Sequence, residues 1–253
     1  EFARYGLAEN VHAILIERFM EDKLIGHVSR DSTAIEAREK VIKKPKKAKK
    51  KHKRGRPKKG ELRIIPEPTQ VQKQLEGVKT KSMTVEQMLK QLPRDCNCGS
   101  KMNSKGKLSH WIGYKLHIDW IDGTIPVSGV VTSASVYDNQ TAIPLAEMTN
   151  KRVTSLYDLM DGAYDSKEIH EHSKLLGHVP IIDHNPRRGK KREMEPAHKR
   201  RYNERSTAER GFGRLKDEFG IRLLRVKGYH KVKEHLMFAV LALAAEQIMR
   251  LAY

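Results

Sequence analysis

The apolar positions of this 253-residue chain change period several times, and each change marks an element. From Asn10 to Lys23 the spacing is helical, with Val11, Ile14, Leu15, Arg18 and Phe19 along one side, so that side is expected to pack on the neighbouring segment. Leu24 to Ile35 (LIGHVSRDSTAI) reads as a strand that ends in a polar cluster holding Asp31. Between His110 and Thr132 the period is two: HWIGYKLHIDW and IPVSGVVTSAS flank the turn residues Asp122-Gly123 and predict a hairpin. A helix is expected over Asn139 to Met148. Ser155 to Asp161 (SLYDLMD) is then a buried strand with Tyr157, Leu159 and Asp161 on one face and Asp158 on the other. Asp165 and Ser166 read as caps for a helix over Lys167 to Leu176, and His178 to Asp183 (HVPIID) is the next strand. The order is strand, insertion, hairpin, helix, strand, helix, strand, helix. That order predicts an α/β fold with antiparallel strands first, then parallel strands joined by right-handed helical crossovers.

One region breaks the pattern and divides the chain. Residues 1–39 hold an N-terminal helix and the first strand, residues 40–108 form an insertion, and residues 109–253 complete the folded unit. Within the insertion, Lys43 to Lys59 contains twelve Lys or Arg and no acid, together with Pro45, Gly55 and Pro57. Such a block repels itself and is expected to be disordered when free. Its segment Lys53 to Lys59 (KRGRPKK) resembles an AT-hook. Gly55 and Pro57 keep the backbone slim and extended, so Arg54 and Arg56 can enter a narrow minor groove while Lys53 and Lys58 meet the flanking phosphates. The bland alternative is a phosphate-binding tail without preference for A·T pairs. Ser82 to Leu92 suits a short helix capped by Thr84, and Asp95 to Lys107 reads as loop.

Charge extends the same picture. A formal net charge of +19 and a pI near 9.9 call for a polyanionic partner, nucleic acid before membrane. Cys96 and Cys98 are too few for a disulfide framework or a four-ligand zinc site, and read as loop thiols in a reducing compartment. The longest apolar run, Leu236 to Ala245, is far shorter than the ~20 residues a membrane span requires and predicts a core or interface helix.

The candidate chemistry lies in Tyr202 to Lys216 (YNERSTAERGFGRLK). On a helix, Tyr202, Arg205, Glu209 and Lys216 fall within an arc of roughly 60°, beside an apolar stripe of Ala208, Phe212, Leu215 and Phe219. Taken alone, Arg205 and Glu209 are an ordinary i,i+4 salt bridge, and Asp31 a helix or turn cap. Asp122 is turn chemistry, and Asp119, near the same hairpin tip, is a rival metal ligand but is expected to be solvated. His170, His172, His230 and His235 lack ligand spacing and are also expected in solvent. Lys115 and His117 share a strand face that is either polar surface or part of a site.

Tyr-x2-Arg-x3-Glu-x6-Lys, met by Tyr202, Arg205, Glu209 and Lys216 without a gap, resembles the signature of one group of DDE insertion-sequence transposases. DSTAI at Asp31, GYKLHI at Gly113 and DGAYDS at Asp161 extend the resemblance in the same order. It covers most of the chain outside roughly residues 40–108. The resemblance implies a ribonuclease-H-like mixed sheet flanked by helices, with the basic insertion after its first strand. It implies Asp31, Asp161 and Glu209 as catalytic residues and metal ligands, with two Mg²⁺ or Mn²⁺ ions. Hard oxygen donors from separate elements suit such ions, which can activate an attacking oxygen and stabilise a leaving 3′ oxygen. Tyr202, Arg205 and Lys216 are implied to hold DNA near the cut, with Lys115 close by. The activity implied is cleavage at the ends of a DNA element and transfer of the freed 3′-OH to target DNA, by a homodimer in the bacterial cytoplasm, near the nucleoid and away from membranes. Transposases of this kind usually carry a further N-terminal helical domain, and a start at Glu1 fits the loss of such a part. A non-catalytic DNA-binding derivative, or a plain ribonuclease-H-like nuclease, are the other readings.

Overall fold

The computed structural model describes residues 1–20, 22–41, 67–102, 106–186 and 189–252. The block Lys43 to Lys59, with its AT-hook-like residues Lys53, Arg54, Arg56 and Lys58, lies outside the described residues.

A six-stranded mixed sheet forms the centre. β1 (Leu24–Glu36) pairs antiparallel with β3 (Leu108–Ile121), and β3 turns through Asp122-Gly123 into β4 (Ile125–Ser133) as the hairpin pattern predicts. On its other edge β1 pairs in parallel with β5 (Thr154–Met160), which pairs in parallel with β6 (Val179–Ile182). β2 (Asn97–Met102) pairs antiparallel with the first half of β3. The strand path is thus β2-β3-β1-β5-β6, with β4 also on β3.

Helices cover both faces. On one face, α8 (Ser206–Asp217) and α9 (Tyr229–Ala252) bury Leu116, Ile118 and Trp120 of β3 against Ala208, Phe212, Leu215, Leu236, Val240 and Leu243. The apolar stripe read beside the signature residues is therefore the packing edge of α8. On the other face, α3 (Gln70–Lys79), α4 (Val85–Lys90), α5 (Asn139–Asn150) and α6 (Lys167–Leu175) close over Met160, Tyr164 and Ile182. α1 (Phe2–Tyr5) and α2 (Leu7–Met20) lie along α9, and α7 (Pro196–Tyr202) precedes α8.

Several sequence expectations are corrected. The second half of the insertion is folded: α4 is the short helix expected behind its Thr84 cap, but α3, capped by Thr69 with Gln72, was not expected, and residues 97–102 are a strand instead of loop. Cys98 accordingly lies in β2, and both cysteines are free thiols. α2 packs through the wrong face for its pattern. Ala8, His12, Ile16 and Met20 are buried, whereas Val11, Ile14 and Phe19 are exposed at 41%, 63% and 45%. His12 makes this possible. Its Nε2 meets the Pro126 carbonyl at 2.8 Å, and burial lowers its pKa to about 4, so a neutral imidazole serves as a core side chain. His172 is also buried, bonded to Glu147 at 2.8 Å, because α6 turns that side against α5.

Candidate active site

Register brings the two aspartates together. Ser29 is level with Leu159 and Arg30 with Met160 across the parallel pair β1/β5. Continuing that register one residue sets Asp31 beside Asp161, just past the end of β5. Side chains alternate along both strands, so Asp31 and Asp161 face α8, while Arg30 and Asp158 face α5. The alternation thus separates Asp161 from Asp158 as the sequence pattern required. Asp158 is buried and meets His178 at 3.3 Å.

The third acid arrives on α8. Gly211 is what lets that helix approach: a Cβ there would lie 2.3 Å from the ring of Trp120. Trp120 is fully buried and packs edge-to-face on Phe212 at 5.2 Å. Two residues upstream, Glu209 emerges exposed at the edge of the sheet. The helix predicted over Tyr202 to Lys216 is interrupted by a 3-10 turn at Asn203–Arg205. In that tighter turn positions i and i+3 eclipse, so Tyr202 and Arg205 stay aligned.

Arg205 lies among all three acids. Its guanidinium reaches Asp31 at 3.0 Å, Asp161 at 3.7 Å and Glu209 at 3.7 Å. Asp31 and Asp161 share one guanidinium nitrogen, which keeps their oxygens within the ~8 Å that a shared pair of metal ions requires. The i,i+4 pair of the sequence reading exists, but as one spoke of a hub. Burial pushes the Asp31 carboxyl up to about 6, against the pull of Arg205 and of the Ser32 amide; Asp161 adds to the rise. Burial alone would weaken the charge of Arg205, and Asp31, Tyr202, Asp161 and Glu209 more than offset it. Burial also pushes the Tyr202 phenol up to about 12, so the phenol stays protonated near the acids.

At the far end of α8, Lys216 is half-buried. Burial, followed by repulsion from Arg222 and Lys101, lowers its pKa. Lys101 of β2 also acts on Asp31, so a row of cations borders the acids. Sequence reading passed over Lys101 because Asp95 to Lys107 lacks a strand-length alternation. The strand face of Lys115 and His117 lies against α5. The Lys115 ammonium is bonded at 2.9 Å to Asp138 and at 2.9 Å to the Val136 carbonyl. Ser32 donates to the same Asp138 at 2.9 Å, and His117, buried and lowered to about 4, bridges Thr132 and Thr141. Asp138 went unremarked in the sequence reading, though it anchors the strand residue next to Asp31. Asp119, expected in solvent, is fully buried in a two-bond pair with Arg30 at 2.8 and 2.7 Å. The hairpin tip begins three residues further on, and Thr149 of α5 covers the carboxylate at 2.7 Å.

The motif DGAYDS divides by task. Asp161 caps the following turn through the Ala163 amide at 2.9 Å, and Tyr164 is buried. Ser166 caps α6, as expected. Asp165 instead ties His170, His184 and the Asn185 amide together, holding the loop after β6 against the loop after β5.

Residues 77–245 match the family model described as Transposase DDE domain. The chain belongs to the transposase DDE domain family. Comparison with curated proteins and with solved structures returns no match. The mixed sheet flanked by helices is consistent with the ribonuclease-H-like fold of such transposases. Asp161 and Glu209 fall inside the matched segment. Asp31 precedes it and reaches the site through β-pairing alone. DDE transposases act on DNA and generally use divalent metals. Among the described residues of this transposase-family chain, no three His, Cys, Asp or Glu side chains are drawn together tightly enough to hold a metal as they stand. A guanidinium, that of Arg205, stands among the three acids. The donor set itself, three carboxylates from three elements converging on one cationic group, fits a hard divalent cation. No helix among the described residues is long and apolar enough to cross a membrane.

Proposed function

We propose that this chain is a catalytically competent transposase domain that cuts DNA strands at the ends of a mobile element and joins the freed 3′-OH to target DNA. The observation that carries this reading is the common contact of Asp31, Asp161 and Glu209 with one cation, Arg205. Acids that merely decorate a basic surface scatter; these converge from β1, the end of β5 and α8. Bound between them, Mg²⁺ or Mn²⁺, as two ions, would supply activation of the attacking oxygen and stabilisation of the leaving one. Asp31 and Asp161 would hold the metal together, because their register fixes them side by side. Glu209, on the helix, closes the third side. Lys216 suits a phosphate contact near the cut, with Lys101 beside it. Tyr202, aligned with Arg205 and half-buried, suits stacking on a displaced base. Lys115 acts indirectly, by holding Asp138 and through it Ser32 next to Asp31.

The test is nicking of supercoiled plasmid that carries the DNA ends flanking the chain's own coding sequence, in Mg²⁺. Wild type nicks and Glu209→Gln does not. Equal nicking by both removes the enzymatic reading. Binding to DNA without metal-dependent cleavage by the wild type would select a non-catalytic DNA-binding derivative instead.

A further inference from the structure

We infer that Arg205 is an internal counter-cation of the acidic site: it neutralises Asp31, Asp161 and Glu209 in the metal-free protein, is displaced when divalent metal binds, and is thereby released to take a DNA phosphate. This rests on the reading of the three acids as metal ligands. The contrast with Arg30 carries it. Arg30 holds one acid by two short bonds and is buried. Arg205 touches three acids, only one of them at hydrogen-bonding distance, and none by a two-bond fork. Its Nε is buried without any hydrogen-bond partner. A guanidinium offers five donors in a fixed fork, so the geometry at Arg205 leaves much of that capacity unused. This is a cation placed by charge and not locked by shape.

Its position also permits departure. Arg205 ends a 3-10 turn, whose hydrogen bonds are weaker than those of an α-helix, and its side chain remains 15% exposed. A divalent ion brings twice the charge and demands the same oxygens, so the two cannot share the acids. The displaced guanidinium stays beside Tyr202, where a phosphate is the ligand its fork matches. Metal and DNA would then bind cooperatively through one side chain, since whatever removes Arg205 from the acids favours both.

Mn²⁺ binding to the DNA-free protein, measured by titration calorimetry, tests this. Removing a competing charge should make Arg205→Gln bind Mn²⁺ about tenfold tighter than wild type, with Arg205→Lys in between. A second measurement uses the wild type itself. In protein labelled with ¹⁵N-arginine, rotation of the Arg205 terminal nitrogens should be slow without metal and fast once Mg²⁺ is added. Unchanged or weaker Mn²⁺ binding by Arg205→Gln, with normal binding by wild type, overturns the counter-cation role and leaves the metal site standing. Unaltered Arg205 nitrogen signals at saturating Mg²⁺ do the same, even if the glutamine variant fails to fold. No Mn²⁺ binding by any of the three proteins overturns this inference together with the reading beneath it.

Discussion

Two arginine–acid clusters sit back to back on β1, one residue apart in sequence, and they are built for opposite ends. Arg30, with Asp119 and Asp158, lies under α5. The side chains of its ion pair are 2% and 0% exposed, and Thr149 and His178 bond to the acids. Burial opposes the charge on Arg30, and Asp119 and then Asp158 more than offset it. Asp31, with Asp161, Glu209 and Arg205, lies under α8, and its acids rise in exposure from Asp31 at 17% to Glu209 at 70%. Both clusters combine one guanidinium with several carboxylates. Satisfaction and solvent access separate them: the first has its bonds complete, the second leaves oxygens and nitrogens unspent and open to an incoming ligand. Charge clustering alone is therefore no mark of a site; unspent capacity at a solvent-facing edge is a better one.

The comparison can be broken by exchanging the fates of the two clusters. Arg30→Ala should cost about 3–5 kcal/mol of stability, because it leaves buried carboxylates unpaired. Urea unfolding would measure it, and a loss below about 1 kcal/mol would mean that the buried cluster is not what holds β1, β3 and α5 together. Asp161→Asn should do the reverse. Nicking should fall by at least about a thousandfold, near 4 kcal/mol in the barrier, while the unfolding midpoint holds or rises. A variant that loses stability and keeps its nicking rate would place Asp161 in the structural class.

A smaller effect concerns pH. Because burial holds folded Asp31 near 6, above its unfolded value, the folded state keeps a proton that the unfolded state has released. Ionised Asp31 therefore opposes folding of the metal-free protein, and this penalty grows as pH rises from about 4 to about 6, then levels. Asp31→Asn should gain thermal stability over wild type across that window, and a melting series at several pH values checks it. The opposite slope would mean that Arg205 pairs with Asp31 tightly enough to reverse the effect of burial. The smallest effect separates two lysines. Lys216→Ala should lower the slope of log affinity for DNA against log salt by about one phosphate contact. Lys115→Met should leave that slope unchanged, as its ammonium is already engaged by Asp138 and Val136.

Much of the site was legible before any coordinates. Period-two alternation in SLYDLMD put Asp161 and Asp158 on opposite faces, and β5 realises that separation. The spacing of Tyr202, Arg205, Glu209 and Lys216 placed them along one edge beside the Ala208–Phe212–Leu215 stripe, which does pack on the sheet. What misled was polarity taken as exposure. Asp119 and His172 are both buried, because each found a specific partner on a distant element: Arg30 and Glu147. Lys115, left open between polar surface and part of a site, is engaged by Asp138 and the Val136 carbonyl. In residues 67–102, α4 and its Thr84 cap were legible, whereas α3, which rests on a capping box and on the α5/α6 surface it covers, was not.

Alone, then, the sequence determined the local periods, the hairpin turn, the edge of α8 that carries Arg205 and Glu209, and the strand face that carries Asp161. These depend on neighbours within a few residues, where spacing is geometry. Only the tertiary structure decided that Arg30 and Arg205 serve different ends, that Lys115 turns inward, and that a guanidinium stands among the three acids. Those outcomes depend on the parallel register of β1 with β5 and on how closely Gly211 lets α8 approach Trp120. Contacts between distant segments are set by which arrangement buries the most apolar surface with its polar groups paired, and no local pattern encodes that choice.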